Sequence, residues 1–206
     1  MTRDHFIEDL FNISAEMGMP LGGPAGDGFA LFYQELKKWN TRINLVSRKK
    51  TDWVRVHFLD SLAPLGLGLI KGHENMIDLG AGAGFPGIPL KIVKPDLQLS
   101  LAEGSGKKCA WLRHIVRTLS LENTQVLEGR FDNIAEKLGK HGFNLAVSRA
   151  AAKPDQMACQ AKDFLAHGGR LLVYTTRNLV AEDMGRVYPY QIPGSKVPSV
   201  IWEVAY

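Results

Sequence analysis

No stretch constrains this chain as much as residues 75–90, which read Asn75-Met76-Ile77-Asp78-Leu79-Gly80-Ala81-Gly82-Ala83-Gly84-Phe85-Pro86-Gly87-Ile88-Pro89-Leu90. A short apolar run ends in an acid and breaks into alternating glycines. It resumes as the apolar run 88–93, suited to the buried side of a helix. Strand, glycine turn and helix in that order shape a nucleotide-type cofactor site at the carboxyl end of a parallel strand. Glycine allows positive φ in the turn and lets a ligand approach the backbone without a Cβ in the way.

From Asn75 onward, apolar runs alternate with helical ones, as in a doubly wound, mostly parallel α/β sheet. Strands are expected at 76–79, 97–102, 125–128, 145–148 and 170–174. A helix over 107–119 turns Trp111, Leu112, Ile115, Val116 and Leu119 inward and Arg113 and Arg117 outward. A further helix over 154–166 is expected to be stopped by Gly168-Gly169. Two runs, 188–192 and 200–205, flank Pro193-Gly194 and predict an antiparallel hairpin at the sheet edge.

The first 70 residues follow another pattern. Phe6, Ile7, Leu10, Phe11 and Met17 mark a helix that Gly18 and Pro20 end. Phe29, Phe32, Leu36, Trp39 and Ile43 form the seam of a second. A third, capped by Thr51 or Asp52, carries Val54, Phe58, Leu62 and Leu65. Arg42, Arg48, Lys49, Lys50 and Arg55 lie between the last two. The expected organisation is therefore a helical appendage over 1–70 and a cofactor-binding domain over 71–206.

Composition excludes more than it assigns. Cys109 and Cys159 have no metal-ligand spacing and are read as reduced thiols, so a cytoplasmic protein without a metal is expected. The longest apolar stretch, 62–70, is too short and too rich in glycine to span a bilayer. A formal net charge of +4 leans toward a polyanionic partner.

Gly82, Gly84 and Gly87 formally satisfy G-x-G-x-x-G, the dinucleotide pattern. Three features argue against a diphosphate. Asp78 would repel it, and Pro86 lacks an amide N–H where a phosphate-cradling turn would use one. Glu103, at the end of the next strand, is placed for ribose hydroxyls. A cofactor with a ribose, an adenine and a positive charge but no phosphate fits these residues, namely S-adenosylmethionine. Asp78, Gly80, Gly82, Gly84 and Glu103 would then surround it. An adenine site is expected after the third strand at Arg130-Phe131-Asp132, where Asp132 could otherwise cap a helix.

The acceptor is read from the residues after the fourth strand, Ser148-Arg149-Ala150. There is no Asn/Asp-Pro-Pro-aromatic tetrapeptide for an exocyclic amine, and no Pro-Cys pair for attack at a pyrimidine carbon. Both absences suit an acceptor that is already nucleophilic, such as guanine N7, which has no proton to lose. Catalysis would then be mostly alignment. Arg149 could donate to the O6 and N7 edge of guanine or hold the cofactor carboxylate.

With these residues in place, the chain resembles the glucose-inhibited division protein B family, bacterial small-subunit ribosomal RNA guanine-N7 methyltransferases. The resemblance is carried by Trp39-Asn40 with Arg42-Ile43-Asn44-Leu45, His57 with Leu59-Asp60-Ser61-Leu62, and Asp78-Leu79-Gly80 through Leu90. It continues in Lys107-Lys108 with Leu112-Arg113, and in Ser148-Arg149-Ala150. It covers roughly residues 29–175. The chain departs from the family at Gly104-Ser105 after Glu103, and it ends without the basic tail common there.

The resemblance implies a class I methyltransferase fold and S-adenosylmethionine as donor. The implied acceptor is a guanine of small-subunit ribosomal RNA; the expected partner is that RNA or an assembling subunit, and the protein is expected to be a monomer. It places cofactor contacts on Gly80, Phe85, Phe131, Asp132 and Arg149, with Glu103 on the ribose; the acceptor reading above makes Arg149 the expected catalytic residue. Rival readings are the same fold with another acceptor, an RNA- or ribosome-binding module without turnover, and, more distantly, a nicotinamide-linked dehydrogenase. Asn44, His57, Asp60 and Ser61 either tie the appendage to the sheet through buried hydrogen bonds or stand at the mouth of the site.

Overall fold

In a computed structural model, residues 2–47, 52–139, 142–149, 151–195 and 198–206 are described. A seven-stranded sheet, ordered β3-β2-β1-β4-β5-β7-β6, forms the frame. Its parallel strands are β1 (Asn75–Leu79), β2 (Gln98–Glu103), β3 (Thr124–Glu128), β4 (Phe143–Arg149) and β5 (Leu165–Thr175). The terminal hairpin, β6 (Arg186–Tyr190) and β7 (Ser199–Ala205), adds antiparallel through β7.

Side chains alternate between the faces of a strand, so parity decides which layer each residue joins. Met76, Leu99, Leu101, Leu145, Val147, Leu172 and Tyr174 share one core with α4 (Gly87–Val93) and α5 (Gly106–Thr118). Ile77, Leu79, Ala102, Ala146, Leu171 and Val173 face α6 (Phe131–Leu138) and α7 (Pro154–Ala161) in a second core. Parity also puts Asp78 and Arg149 on the first face.

That face is deepened by the amino-terminal helices, α1 (Arg3–Glu16), α2 (Gly23–Trp39) and α3 (Asp60–Gly66). Phe6, Phe29, Phe32 and Phe58 are fully buried in the same core as the strands. Phe32 and Phe58 meet the ring of Phe85 at centroid distances of 5.1 and 5.2 Å. The helical segment therefore packs directly onto the glycine turn.

Three local expectations are corrected. The second helix ends at Trp39, and Ile43 lies in the following turn. The third begins as a π-helical segment, Val54–Leu59, before continuing as α3; Asp52 Oδ1 accepts the Arg55 amide at 3.1 Å as its cap. The helix after β4 stops at Ala161, not at residue 166. Gly168-Gly169 lies inside β5, where pairing with β4 shifts register between Phe143–Leu165 and Leu145–Arg170. Glycine with positive φ serves a strand irregularity as readily as a helix stop, and Gly168 has φ +78. Thr51 and the basic turn Arg48-Lys49-Lys50 lie outside the described residues.

Candidate active site

The carboxyl ends of β2, β1 and β4 are neighbours, which brings Glu103, Asp78 and Arg149 to one edge of the sheet. Between the first two strands the chain makes its glycine turn. The Gly80 and Ala81 amides both donate to the Ala102 carbonyl, at 2.9 and 3.0 Å. Gly80 has φ +81, and a Cβ there would stand 2.5 Å from that of Ala151, so both conformation and space require glycine.

Asp78 is fully buried beneath this turn. Its Oδ2 accepts the Gly87 amide at 2.8 Å, while Oδ1 has no partner among the described residues. Burial raises the carboxyl to about 7, opposed by the Gly87 amide and the Arg149 charge and reinforced by Glu103. An unpartnered, buried carboxylate oxygen favours a nearby cation. Glu103 brackets the turn from the other side. Its Oε2 accepts the Gly82 amide and its Oε1 the Ser105 amide, both at 2.9 Å. Trp111 of α5 completes the support by donating from Nε1 to the Ala83 carbonyl at 3.0 Å.

A cavity of about 360 Å³ opens beside the amino end of α6, lined by Gly104, Gly129, Arg130, Phe131, Asp132 and Phe164. The Phe131 ring forms its apolar wall, edge-on to Phe164 with centroids 6.2 Å apart. Asp132 is not the helix cap. Arg130 occupies the cap position, and Asp132 sits in the first helical turn, where Oδ1 accepts the Asn133 amide at 2.9 Å. This cavity presents an aromatic face and an exposed carboxylate where the base of a nucleoside was expected.

Arg149 ends β4. Its Nη1 donates to the Val56 carbonyl at 3.0 Å, to the His57 carbonyl at 3.4 Å and to Asp60 Oδ2 at 3.0 Å. Nη2 faces His57 Nδ1 at 3.4 Å, and Cζ lies 5.1 Å from the Phe85 ring centroid. The His57 imidazole stacks on Phe85 at 5.3 Å. Burial, helped by the Arg149 charge, lowers His57 to about 4, so it is neutral at ordinary pH. Ser61 Oγ donates to the His57 carbonyl at 2.6 Å, and Tyr174 Oη donates to the Ser61 carbonyl at 2.7 Å.

Asp78, Gly80, Gly82, Gly84, Phe85, Glu103 and Arg149 thus come together around one turn, with Phe131 and Asp132 at the adjoining cavity. Phe85 is placed unlike a surface contact. Its side chain is 4% exposed and belongs to the aromatic core. His57, Asp60 and Ser61 do tie the amino-terminal helices to the sheet, and they do so at Arg149 and Tyr174. Asn44 is exposed, whereas Asn40 is buried and accepts the Leu45 and Val46 amides. Sequence reasoning missed Tyr190, whose Oη donates to Asp60 Oδ1 at 2.7 Å from the terminal hairpin. No local signal marks it, because the contact joins residues remote in the chain.

Among the described residues no cluster of metal-ligating side chains is found, and no helix is long and apolar enough to cross a membrane.

Comparison with known proteins points the same way. A family model described as "rRNA small subunit methyltransferase G" matches residues 27–194. A protein named ribosomal RNA small subunit methyltransferase G from Caldanaerobacter subterraneus subsp. tengcongensis is 38% identical over 179 residues, which is 84% of this chain and 73% of that one. One of the same name from Dehalococcoides mccartyi is 37% identical, over 87% of this chain and 76% of its own. Among solved structures, a mutant of MtNAS in complex with S-adenosylmethionine superposes with a TM-score of 0.58 at 17% identity, over 86% of this chain and 73% of that one. The precorrin-6y methyltransferase of Geobacter metallireducens gives 0.55 at 15%, over 79% and 94%. At these identities the structures establish the fold alone, which is that of class I methyltransferases.

Proposed function

This chain belongs to the rRNA small subunit methyltransferase G family, and on that premise we propose that it transfers a methyl group from S-adenosylmethionine to N7 of a guanine in small-subunit ribosomal RNA. The observation that carries the cofactor is the pair of carboxylates, Asp78 and Glu103, on either side of a glycine turn at neighbouring strand ends. When bound, S-adenosylmethionine supplies an electrophilic methyl on a cationic sulfur. The unpartnered oxygen of Asp78 supports a cationic ligand. Glu103, already accepting the Gly82 and Ser105 amides, keeps lone pairs for ribose hydroxyls. Phe131 and Asp132 offer the adenine a ring face and an acceptor for its amine. Gly80, Gly82 and Gly84 let the backbone come close, and Phe85 contributes through its main chain because its ring is in the core.

The acceptor chemistry needs no base, since N7 carries a lone pair and no proton. A neutral His57 with a depressed pKa is in keeping with that. Arg149 would donate to guanine O6, because a donor on N7 would occupy the lone pair that must attack. Alignment of N7 with the methyl carbon and sulfur is then the main catalytic contribution. We place the activity in the cytoplasm, in a monomer acting on ribosomal RNA or an assembling subunit, with residues 1–70 as a helical appendage to the domain over 71–206.

The test is incubation of the protein with labelled S-adenosylmethionine and unmodified small-subunit particles, followed by nucleoside analysis. Labelled N7-methylguanosine, strongly reduced with Arg149→Ala, is expected. Label in another nucleoside, or none with the cofactor still bound, overturns the reading.

A further inference from the structure

An arginine at a strand end has several rotatable bonds and, left in water, no fixed direction. A guanidinium that must meet a base in a set orientation needs that direction imposed beforehand. Here one nitrogen is fully engaged in anchoring. Arg149 Nη1 has three acceptors, the Val56 and His57 carbonyls and Asp60 Oδ2, while Nη2 contacts His57 Nδ1 at 3.4 Å. Of these four partners, Asp60 alone carries a charge, since the His57 imidazole is neutral at ordinary pH.

Asp60 is in turn held. Its second oxygen accepts the Tyr190 hydroxyl at 2.7 Å, so each carboxylate oxygen serves a different donor. Burial and the Asp60 charge push the Tyr190 phenol well above its ordinary value, which keeps it a donor at any working pH. The ion pair is largely shielded, with side chains 15% and 18% exposed, so its geometry is better defined than that of a surface pair. The helices have a second attachment to the sheet beside this carboxylate, where the Tyr174 hydroxyl donates to the Ser61 carbonyl at 2.7 Å.

We propose that Asp60, braced by Tyr190, is the positioning residue that sets the direction of the Arg149 guanidinium toward the acceptor base. Through this carboxylate the terminal hairpin is linked to Arg149. The inference rests on the reading of Arg149 as the acceptor-side residue of a guanine methyltransferase.

The test uses the full chain and unmodified small-subunit particles, comparing Asp60→Asn, Tyr190→Phe and Arg149→Ala with the doubles that combine each of the first two with the third. Asp60→Asn should lower kcat about 10- to 100-fold, the worth of a lost charge-assisted hydrogen bond. Tyr190→Phe should lower it about 3- to 10-fold while removing a single oxygen. Both doubles should be no slower than Arg149→Ala alone, measured with enzyme in excess, because a residue acting through Arg149 has no effect once it is gone. A merely structural role would instead multiply with Arg149→Ala. Multiplying effects, or wild-type kcat in Tyr190→Phe, overturn the proposal; the tyrosine variant decides even if Asp60→Asn fails to fold. Absence of N7-methylguanosine with the unaltered protein overturns the activity itself, and the proposal with it.

Discussion

The carboxylate of Asp78, at the end of β1, accepts the amide of Gly87, the first residue of α4, at 2.8 Å. One buried bond thus closes the loop that contains every turn glycine. The remaining Asp78 oxygen faces no donor among the described residues. The turn is stapled and one acceptor is held in reserve by the same side chain.

Gly87→Ala should damage this staple. A Cβ there would stand 2.7 Å from Asp78 Oδ2 and 2.9 Å from Leu101 Cδ2, distances at which something must move. Overpacking of this kind costs about 1–3 kcal/mol. Urea unfolding should show the loss, accompanied by weaker binding of S-adenosylhomocysteine. An unchanged midpoint would mean the turn yields freely.

Asp78 should make cofactor binding depend on pH. Its pKa in the fold, about 7, exceeds the ordinary 3.8, so its contribution to stability is complete below 3.8 and is lost as pH rises toward 7. A cationic ligand favours the ionised carboxylate, so binding below pH 7 should release a proton, and affinity should climb with pH up to that value. Calorimetry of S-adenosylmethionine at pH 6, in buffers of different ionisation heat, measures the release. Asp78→Asn should abolish it.

His57 acts on stability with the opposite sign. Its pKa of about 4 lies below the ordinary 6.5, so the stability it contributes is complete above 6.5 and is lost as pH falls toward 4. Protonation there would put a second positive charge beside Arg149. Urea midpoints from pH 4.5 to 7.5 should fall at the acid end, and His57→Gln should flatten that limb. The Asp78 contribution runs against it over an overlapping range, so the two single variants are needed to separate them.

Trp111→Phe should loosen the turn from the side of α5. The indole is fully buried, and its Nε1 is the donor to the Ala83 carbonyl. Losing that bond costs about 1–3 kcal/mol if the carbonyl stays unsatisfied. Because the carbonyl belongs to the turn, cofactor affinity should fall together with the melting temperature. A fall in melting temperature alone would separate Trp111 from the site.

Periodicity and punctuation were enough to determine much of this protein. The alternating runs placed the five parallel strands and the terminal hairpin, because strand parity and the strand–glycine–helix succession are local properties of the chain. Asp78 and Glu103 were legible for the same reason, as acids ending apolar runs beside a glycine turn. Where two local outcomes use the same residues, the sequence could not choose. Gly168-Gly169 reads as a helix stop, but pairing of Phe143 with Leu165 and Leu145 with Arg170 places it inside the strand.

The surroundings of Arg149 belong wholly to the tertiary structure. Its partners Val56, His57 and Asp60 come from the amino-terminal helices, Phe85 from the glycine turn, and Tyr190 reaches Asp60 from the last hairpin. Nothing in the spacing of these residues predicts that they meet. They do so because aromatic packing of Phe32 and Phe58 on Phe85 seats the helices on the sheet, and hydrogen-bond geometry then selects among the polar groups so gathered.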